Sequence, residues 1–321
     1  MKIDNKRIEF AEITKYDEPI GNGKQAFIYK AMIVDSDDEQ KFVAIKKYKP
    51  EIIKGRELAI EQHLKRLINF KKRLEDKTIH HVINNYTAWP LEVIYENNKA
   101  CGFTMSLIQD KFYVGDKKIE SSFDFILNDD ETRQRLGLPI INSIGRKKIA
   151  DDLLYIISSM HECNTCQFIY GDLSAGNILV YIDAENQRNN SVVLLESDSF
   201  RKATEIHPLM QAHSPDWYPP ECTLAQNKRI ELEKRNSDIN DIINYKVTEF
   251  IQSTRTDVYK VCLAILRLYH KGASRAILHK SDIAIENLRN EVSDEFATLV
   301  LSGLSNNPYE RPKARDLLNC L

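Results

Sequence analysis

The sequence predicts an α+β protein in which a small antiparallel sheet carrying one main helix comes first and a larger, mostly helical part follows. Short runs with alternating or continuous apolar residues, Ile13 to Val34, Lys41 to Tyr48, Leu91 to Tyr95 and Cys101 to Ile108, read as strands separated by polar turns. Glu51 to Lys72 instead places Ile53, Leu58, Ile60, Leu64, Leu67 and Ile68 at helical spacing. Beyond them Ile149 to His161 places Ile149, Leu153, Ile156, Ile157 and Met160 at helical spacing. At 321 residues the chain is long enough for two compact parts with cores of their own.

Charge and cysteine usage narrow the function classes. Lys and Arg (45) nearly balance Asp and Glu (47), a net charge of −2, so no basic field argues for nucleic acid or an anionic membrane as partner. The longest apolar runs, such as Val261 to Leu266, fall far short of the roughly 20 residues that span a bilayer. MKIDNKRIEF lacks the apolar core of a signal peptide. A soluble, cytoplasmic protein is expected. Its six cysteines are scattered and read as reduced thiols. Cys163 and Cys166 form a lone CxxC without the second pair a structural zinc would need. The adjacent His80 and His81 have no third ligand in sequence reach, and His161 belongs at a helix end.

In the first part, EPIGNGKQAFIYKAMIV reads as a hairpin whose Gly21 and Gly23 leave room for a phosphate, with Ile20 and Ile28 able to cover a flat base. Asp35 to Gln40 is a solvated turn. A lysine ending a strand usually meets water. Lys46, on the strand that follows this hairpin, is placed instead to reach nucleotide phosphates and to be held by a helix carboxylate, Glu61 or, one turn earlier, Glu57. Residues 73 to 89 read as an irregular link, and Asn97 and Asn98 as a turn.

In the second part, Lys111 to Gly145 is polar, with a short helix near Phe123 to Leu127 and a flexible acidic patch at Asp129 to Glu131. The richest stretch is FIYGDLSAGNILV, residues Phe168 to Val180: a strand, a polar loop and a second strand. Asp172 and Asn177 stand five apart in the loop, where an Asp can take a proton and an Asn can hold a metal. On this stretch alone, an Asp and an Asn closing a tight turn explain the pattern equally well. Asp198 follows 21 residues after Asn177, at the end of the strand paired with the one leaving the loop. Two hard-oxygen ligands on neighbouring strand ends suit Mg²⁺.

In order, GNGKQA, VAIK, YGDLSAGN, DSF, WYPPE, TDVYKVCLAIL and NPYERP resemble the protein kinase superfamily over about residues 13 to 321. AWPLEV, GFTMSL, YGDLSAGN, DSF and PPE further resemble the bacterial kinases of the tellurite-resistance-associated phosphorylation triad, found alongside a PP2C-type phosphatase and von Willebrand factor A domain proteins. The resemblance implies a bilobal protein kinase fold, with an N-lobe over residues 1–105 and a C-lobe over 106–321. It implies transfer of the ATP γ-phosphate to Ser/Thr hydroxyls of proteins, autophosphorylation included, with Mg²⁺ or Mn²⁺ as the metal. Asp172 would be the base, Lys46 would hold the phosphates, and Asn177 and Asp198 the metal. Gly21, Gly23, Ile20, Ile28, Ala44, Glu61, Met105, Ser106, Ile108 and Leu179 would complete the nucleotide site, with Met105 behind the adenine and the backbone of Ser106 to Ile108 beside it. Glu221 would pair with Arg311, and Asp257 would brace the catalytic loop from a buried helix with Val258, Val261, Leu263, Ile265 and Leu266 as its core face.

The departures from the family pattern are specific. Gly171 stands where an arginine usually precedes the Asp, which argues against control by activation-loop phosphorylation. Ser174 replaces a lysine near the γ-phosphate, and Ser199 and Phe200 replace Phe and Gly after Asp198. Between Glu221 and Asp257 lie 35 residues of charged helical composition, read as a solvated surface helix rather than a docking site. The competing functional readings are a nucleotide-binding pseudokinase scaffold and a small-molecule kinase on the same fold. The PPE segment with its Arg311 partner argues against the second.

Overall fold

The computed structural model describes residues 7–15, 18–34, 40–115, 118–163, 167–205, 214, 216–223, 231, 252–271 and 281–321. They form a mixed α+β protein of two compact units, one within Met1–Gln109 and the other within Asp110–Leu321. Residues 35–39 of the expected turn at Asp35 to Gln40, Cys166 of the CxxC pair, and most of the charged stretch after Glu221 lie outside the described residues; Gln40 opens a strand, and Cys163 is buried.

The first unit is built on a sheet of β1 (Ile8–Glu9), β2 (Thr14–Lys15), β3 (Gly21–Asn22), β4 (Ala26–Val34), β5 (Gln40–Tyr48), β6 (Glu92–Glu96) and β7 (Lys99–Ser106). Their order is β1-β6-β7-β5-β4-β2, with β3 also paired to β4. β5 is central, so Val43, Ala44, Ile45 and Lys46 are all buried, as a strand covered on both faces requires. Asn97 (φ 51°) and Asn98 (φ 64°) make the β6–β7 turn; both take the left-handed conformation that a two-residue hairpin loop needs and asparagine tolerates. The sheet departs from the antiparallel expectation at one edge, where β1 pairs with β6 in parallel. From there the chain crosses to β4, burying Phe10 against Tyr29 at a ring separation of 5.5 Å.

Among the described residues three helices accompany the sheet, where one main helix was expected. The stretch read as a single helix from Glu51 is divided into α1 (Pro50–Ile53) and α2 (Glu57–Lys72). Gly55 between them has φ +76°, which a continuous right-handed helix excludes. The break rotates the pattern: Ile60, Leu64, Leu67 and Ile68 are buried, whereas Leu58, expected on the same face, is 67% exposed. Residues expected to be irregular form α3 (Lys77–Tyr86). Asp76 caps it by accepting from the Thr78 and Ile79 amides, and Ile79, Val82 and Ile83 give it a buried stripe. His80 and His81 lie on its exposed face beside Asn84 and Asn85.

The second unit is mainly helical. Its helices include α4 (Phe123–Ile126), α5 (Asp130–Arg135), α6 (Ser143–His161), α7 (Thr254–His270), α8 (Asp282–Glu291), α9 (Asp294–Gly303) and α10 (Ala314–Cys320). The acidic patch expected to be flexible starts α5: Asp129 accepts from the Thr132 amide at 2.8 Å, and acidic residues in a first turn suit the helix dipole. Short ladders join β8 (Tyr113–Val114) to β9 (Ile119–Glu120), β10 (Phe168–Ile169) to β13 (Arg201–Lys202), and β11 (Ile178–Tyr181) to β12 (Ser191–Leu194). α7 is the central element, packed against α6, α8 and α9 and buried continuously from Thr256 to Tyr269. Its start is fixed by a capping box of Ser253 and Thr256. Among the described residues no helix is long and apolar enough to cross a membrane.

One glycine sets the approach of two strands that carry the first unit. A Cβ on Gly102 of β7 would lie 2.1 Å from the Lys46 carbonyl oxygen of β5, whereas one on Gly23 would meet only ordinary contact at 3.6 Å. Gly102→Ala is therefore expected to lower the unfolding free energy by about 1 to 3 kcal/mol. Gly23→Ala should stay within about 0.5 kcal/mol of the parent in the same urea titration.

Candidate functional site

In the first unit, register brings most of the sequence-selected residues together. Gly21 pairs with Ile28, Ile28 with Lys46, and Lys46 with Phe103, forming one row across β3, β4, β5 and β7. Ala44 pairs with Met105 in the next row of the same face, two residues along each strand. The glycine turn is closed by two backbone bonds, Ile20 N–H to Ile28 O at 2.8 Å and Gly23 N–H to Ala26 O at 3.0 Å. A side chain at Gly21 would press on Ile28 at 3.3 Å. Ile20 is exposed, Ile28 half-buried and Met105 buried. β7 ends at Ser106, which is exposed, so Ile108, half-buried, lies beyond the strand it was expected to share.

The Lys46 side chain is only 2% exposed, and its ammonium lies 5.5 Å from the Tyr48 ring centre and 5.7 Å from that of Phe103. Aromatic faces attract a cation and replace part of the water it gives up. Glu61 on α2 accepts from Lys65 Nζ at 2.7 Å and from the Tyr95 hydroxyl at 2.9 Å. Partial burial opposes its ionisation, but those two hydrogen bonds prevail and hold its carboxyl below the ordinary value. Glu57, one turn earlier, lies 4.0 Å from Lys99.

In the second unit, the loop between β10 and β11 is shaped from beneath by α7. The fully buried Asp257 carboxylate accepts the Tyr170 and Gly171 amides, each at 2.8 Å, and lies 3.2 Å from His161 Nε2 at the end of α6. Gly171 has φ +75°, so the position favours glycine over the arginine that the resemblance led one to look for. Asn177 closes the loop, its Nδ2 donating to Asp172 O at 2.8 Å and to Asp172 Oδ2 at 3.0 Å. Ser174 is buried and accepts from the Asn177 amide through its carbonyl.

The neighbouring strand end carries Asp198. β11 pairs with β12 from Ile178 opposite Leu194, and the Leu195 amide donates to Asn177 O at 2.9 Å. The chain then turns through Glu196, whose φ of +49° is rare for a residue with a side chain, into a short 3₁₀ turn holding the buried Asp198. The Tyr170 hydroxyl donates to Leu195 O at 2.5 Å, and Phe200 packs on the Tyr170 ring at 4.7 Å. Burial pushes the Tyr170 phenol far above its ordinary value, and Asp172, Glu196, Asp198 and Asp257 push it further, so it remains a donor. Leu179 is buried in β11.

Asp172 and Asn177 therefore touch, Asn177 is hydrogen-bonded to Leu195, three residues before Asp198, and Asp257 braces the loop. Glu221 and Arg311 form a bidentate pair at 2.7 Å in both arms, with the guanidinium fully buried. The sequence reading missed two participants. His161 was placed only at a helix end, and Lys260, hidden in an apolar helix face, donates to Gly171 O at 2.7 Å. The spacing of Lys260 three residues after Asp257 was the available signal. The sequence matches no family model and no curated protein.

Two stability consequences follow from the buried charges. Asp257→Ala strands two amides and is expected to lower the unfolding free energy by about 3 to 5 kcal/mol in denaturant titration. Glu221→Gln leaves the Arg311 guanidinium without its counter-charge and should cost a similar amount, about 3 to 5 kcal/mol, most of it regained on adding Arg311→Met.

Proposed function

We propose that this chain is an ATP-dependent protein Ser/Thr kinase and that its two compact units are the lobes of a bilobal protein kinase fold. The observation that carries the reading is the Asp172–Asn177 pair on a loop braced by Asp257 and hydrogen-bonded to Leu195, from which the chain turns to Asp198. A tight turn alone needs neither a fully buried carboxylate beneath it nor a third acidic group delivered by the neighbouring strand. The row of Gly21, Ile28 and Lys46, with Ala44 and Met105 in the adjoining row, supports a nucleotide-facing surface on the first unit.

In this reading Asp172 orients the attacking hydroxyl and takes its proton. The Asn177 amide is oriented by donating to Asp172, which leaves Oδ1 to serve as a hard-oxygen ligand, and Asp198 supplies a carboxylate. That donor set fits Mg²⁺ or Mn²⁺, which takes its other ligands from phosphate and water. The metal supplies charge neutralisation on the β- and γ-phosphates. Lys46 contributes a fixed positive charge to the phosphates, and its burial strengthens that attraction. The Glu221–Arg311 pair holds the segment that receives the substrate polypeptide. A phosphatase, by resemblance of the PP2C type, would reverse the product.

With radiolabelled ATP and Mg²⁺, the wild type is expected to label itself or a generic protein substrate on Ser/Thr. Asp172→Ala should lower the rate by about 10² to 10⁴-fold and Lys46→Met comparably, with both variants still folded. Chelation with EDTA should abolish labelling and Mn²⁺ restore it. Undiminished labelling by Asp172→Ala sinks the assignment.

A further inference from the structure

Lys260 lies inside α7 with no exposed surface. Removing an ammonium from water is unfavourable unless strong partners replace the solvent. Its partner is the Gly171 carbonyl, at 2.7 Å from Nζ. Asp257, three residues earlier on the same helix face, accepts the Tyr170 and Gly171 amides. One turn of α7 thus grips the loop by both polarities, a carboxylate on its N–H groups and an ammonium on its C=O.

The carbonyl that Lys260 holds belongs to the peptide bond joining Gly171 to Asp172. Fixing that oxygen fixes the peptide plane from which the Asp172 side chain departs. The positive φ of Gly171 belongs to the same arrangement. Burial lowers the proton affinity of Lys260, while the carboxylates of Asp172 and Asp257 act against it. The loop from Tyr170 to Asn177 contains no lysine or arginine of its own.

We propose that Lys260 is a positioning residue for phosphoryl transfer: it sets the direction of the Asp172 carboxylate through the Gly171–Asp172 peptide plane and lends the loop, from α7, the cation that it lacks. This rests on the kinase reading above. It makes α7 part of the site's alignment as well as of the core, and it differs from a packing role because the charge and the donor, not the volume, are what matter.

Two variants of the full chain test it: Lys260→Met, which keeps length without charge or donor, and Lys260→Gln, which keeps an N–H donor. In folded Lys260→Met, kcat is expected to fall on the order of 100-fold, the effect of a small misalignment at a reacting group, with KM for ATP changed less than about twofold. Amide exchange over residues 168–177 should quicken about tenfold or more. Lys260→Gln should recover part of both losses. A folded Lys260→Met with unchanged kcat and unchanged exchange overturns the inference while leaving the kinase reading intact. Failure of both variants to fold assigns the lysine to stability alone and overturns it as well. A wild type that transfers no phosphate instead defeats the kinase reading and with it the catalytic half of the inference, and the exchange rates then decide separately whether Lys260 orders the turn.

Discussion

The buried carboxylate of Asp257 is the constraint on which the second unit turns. A charge with no exposed surface must find its solvation inside the protein, and Asp257 finds it in two backbone amides and a histidine. Those donors come from the β10–β11 loop and from the last residue of α6, so the requirement to solvate one side chain fastens three segments together. The same helix shows the principle repeatedly. Arg267 stacks on Trp217 at 4.5 Å and donates to Asp216 O, and Arg311 stacks on Tyr259 at 4.8 Å while pairing with Glu221. An almost wholly buried helix thereby presents a few polar contacts, each aimed at a segment that hydrophobic packing alone would leave with several orientations.

The first unit uses a different device. Its candidate residues are aligned by strand register, which is rigid because a slip of one residue turns every side chain to the opposite face. Lys46 is carried on the central strand, and the strand beside it approaches so closely that only Gly102 fits opposite the Lys46 carbonyl. The ammonium is consequently held among Tyr48 and Phe103 rather than free to sample solvent. An aromatic setting of this kind keeps a cation positioned at a lower entropic loss on binding an anion.

Much of this was legible in the sequence. Polar residues interrupting apolar patterns marked Lys46, Asp172, Asn177 and Asp198, and the resemblance of PPE and NPYERP to kinase motifs marked Glu221 with Arg311. The misses have separate causes. The helix Lys77–Tyr86 was hidden by β-branched and asparagine residues of weak helix propensity, although Asp76 as a cap and the Ile79, Val82, Ile83 spacing signalled it. The division at Gly55 and the exposure of Leu58 escaped because periodicity does not register a single left-handed residue. Lys260 escaped because a lysine in an apolar helix is read as reaching for water, and only its surroundings show that it reaches for a carbonyl.

The sequence by itself determined the elements and the chemical types: alternation and periodicity choose strands and helices, and residues such as Asp172, Asn177 and Asp198 bring their chemistry wherever they fall. Tertiary structure decided which of them meet. That Asp257 and Lys260 grip one loop at its amides and its carbonyl depends on α7 lying beneath that loop, across 86 and 89 residues of chain. Local pattern carries no record of such a distance, because the desolvation that makes each contact necessary exists only once the core has closed around it.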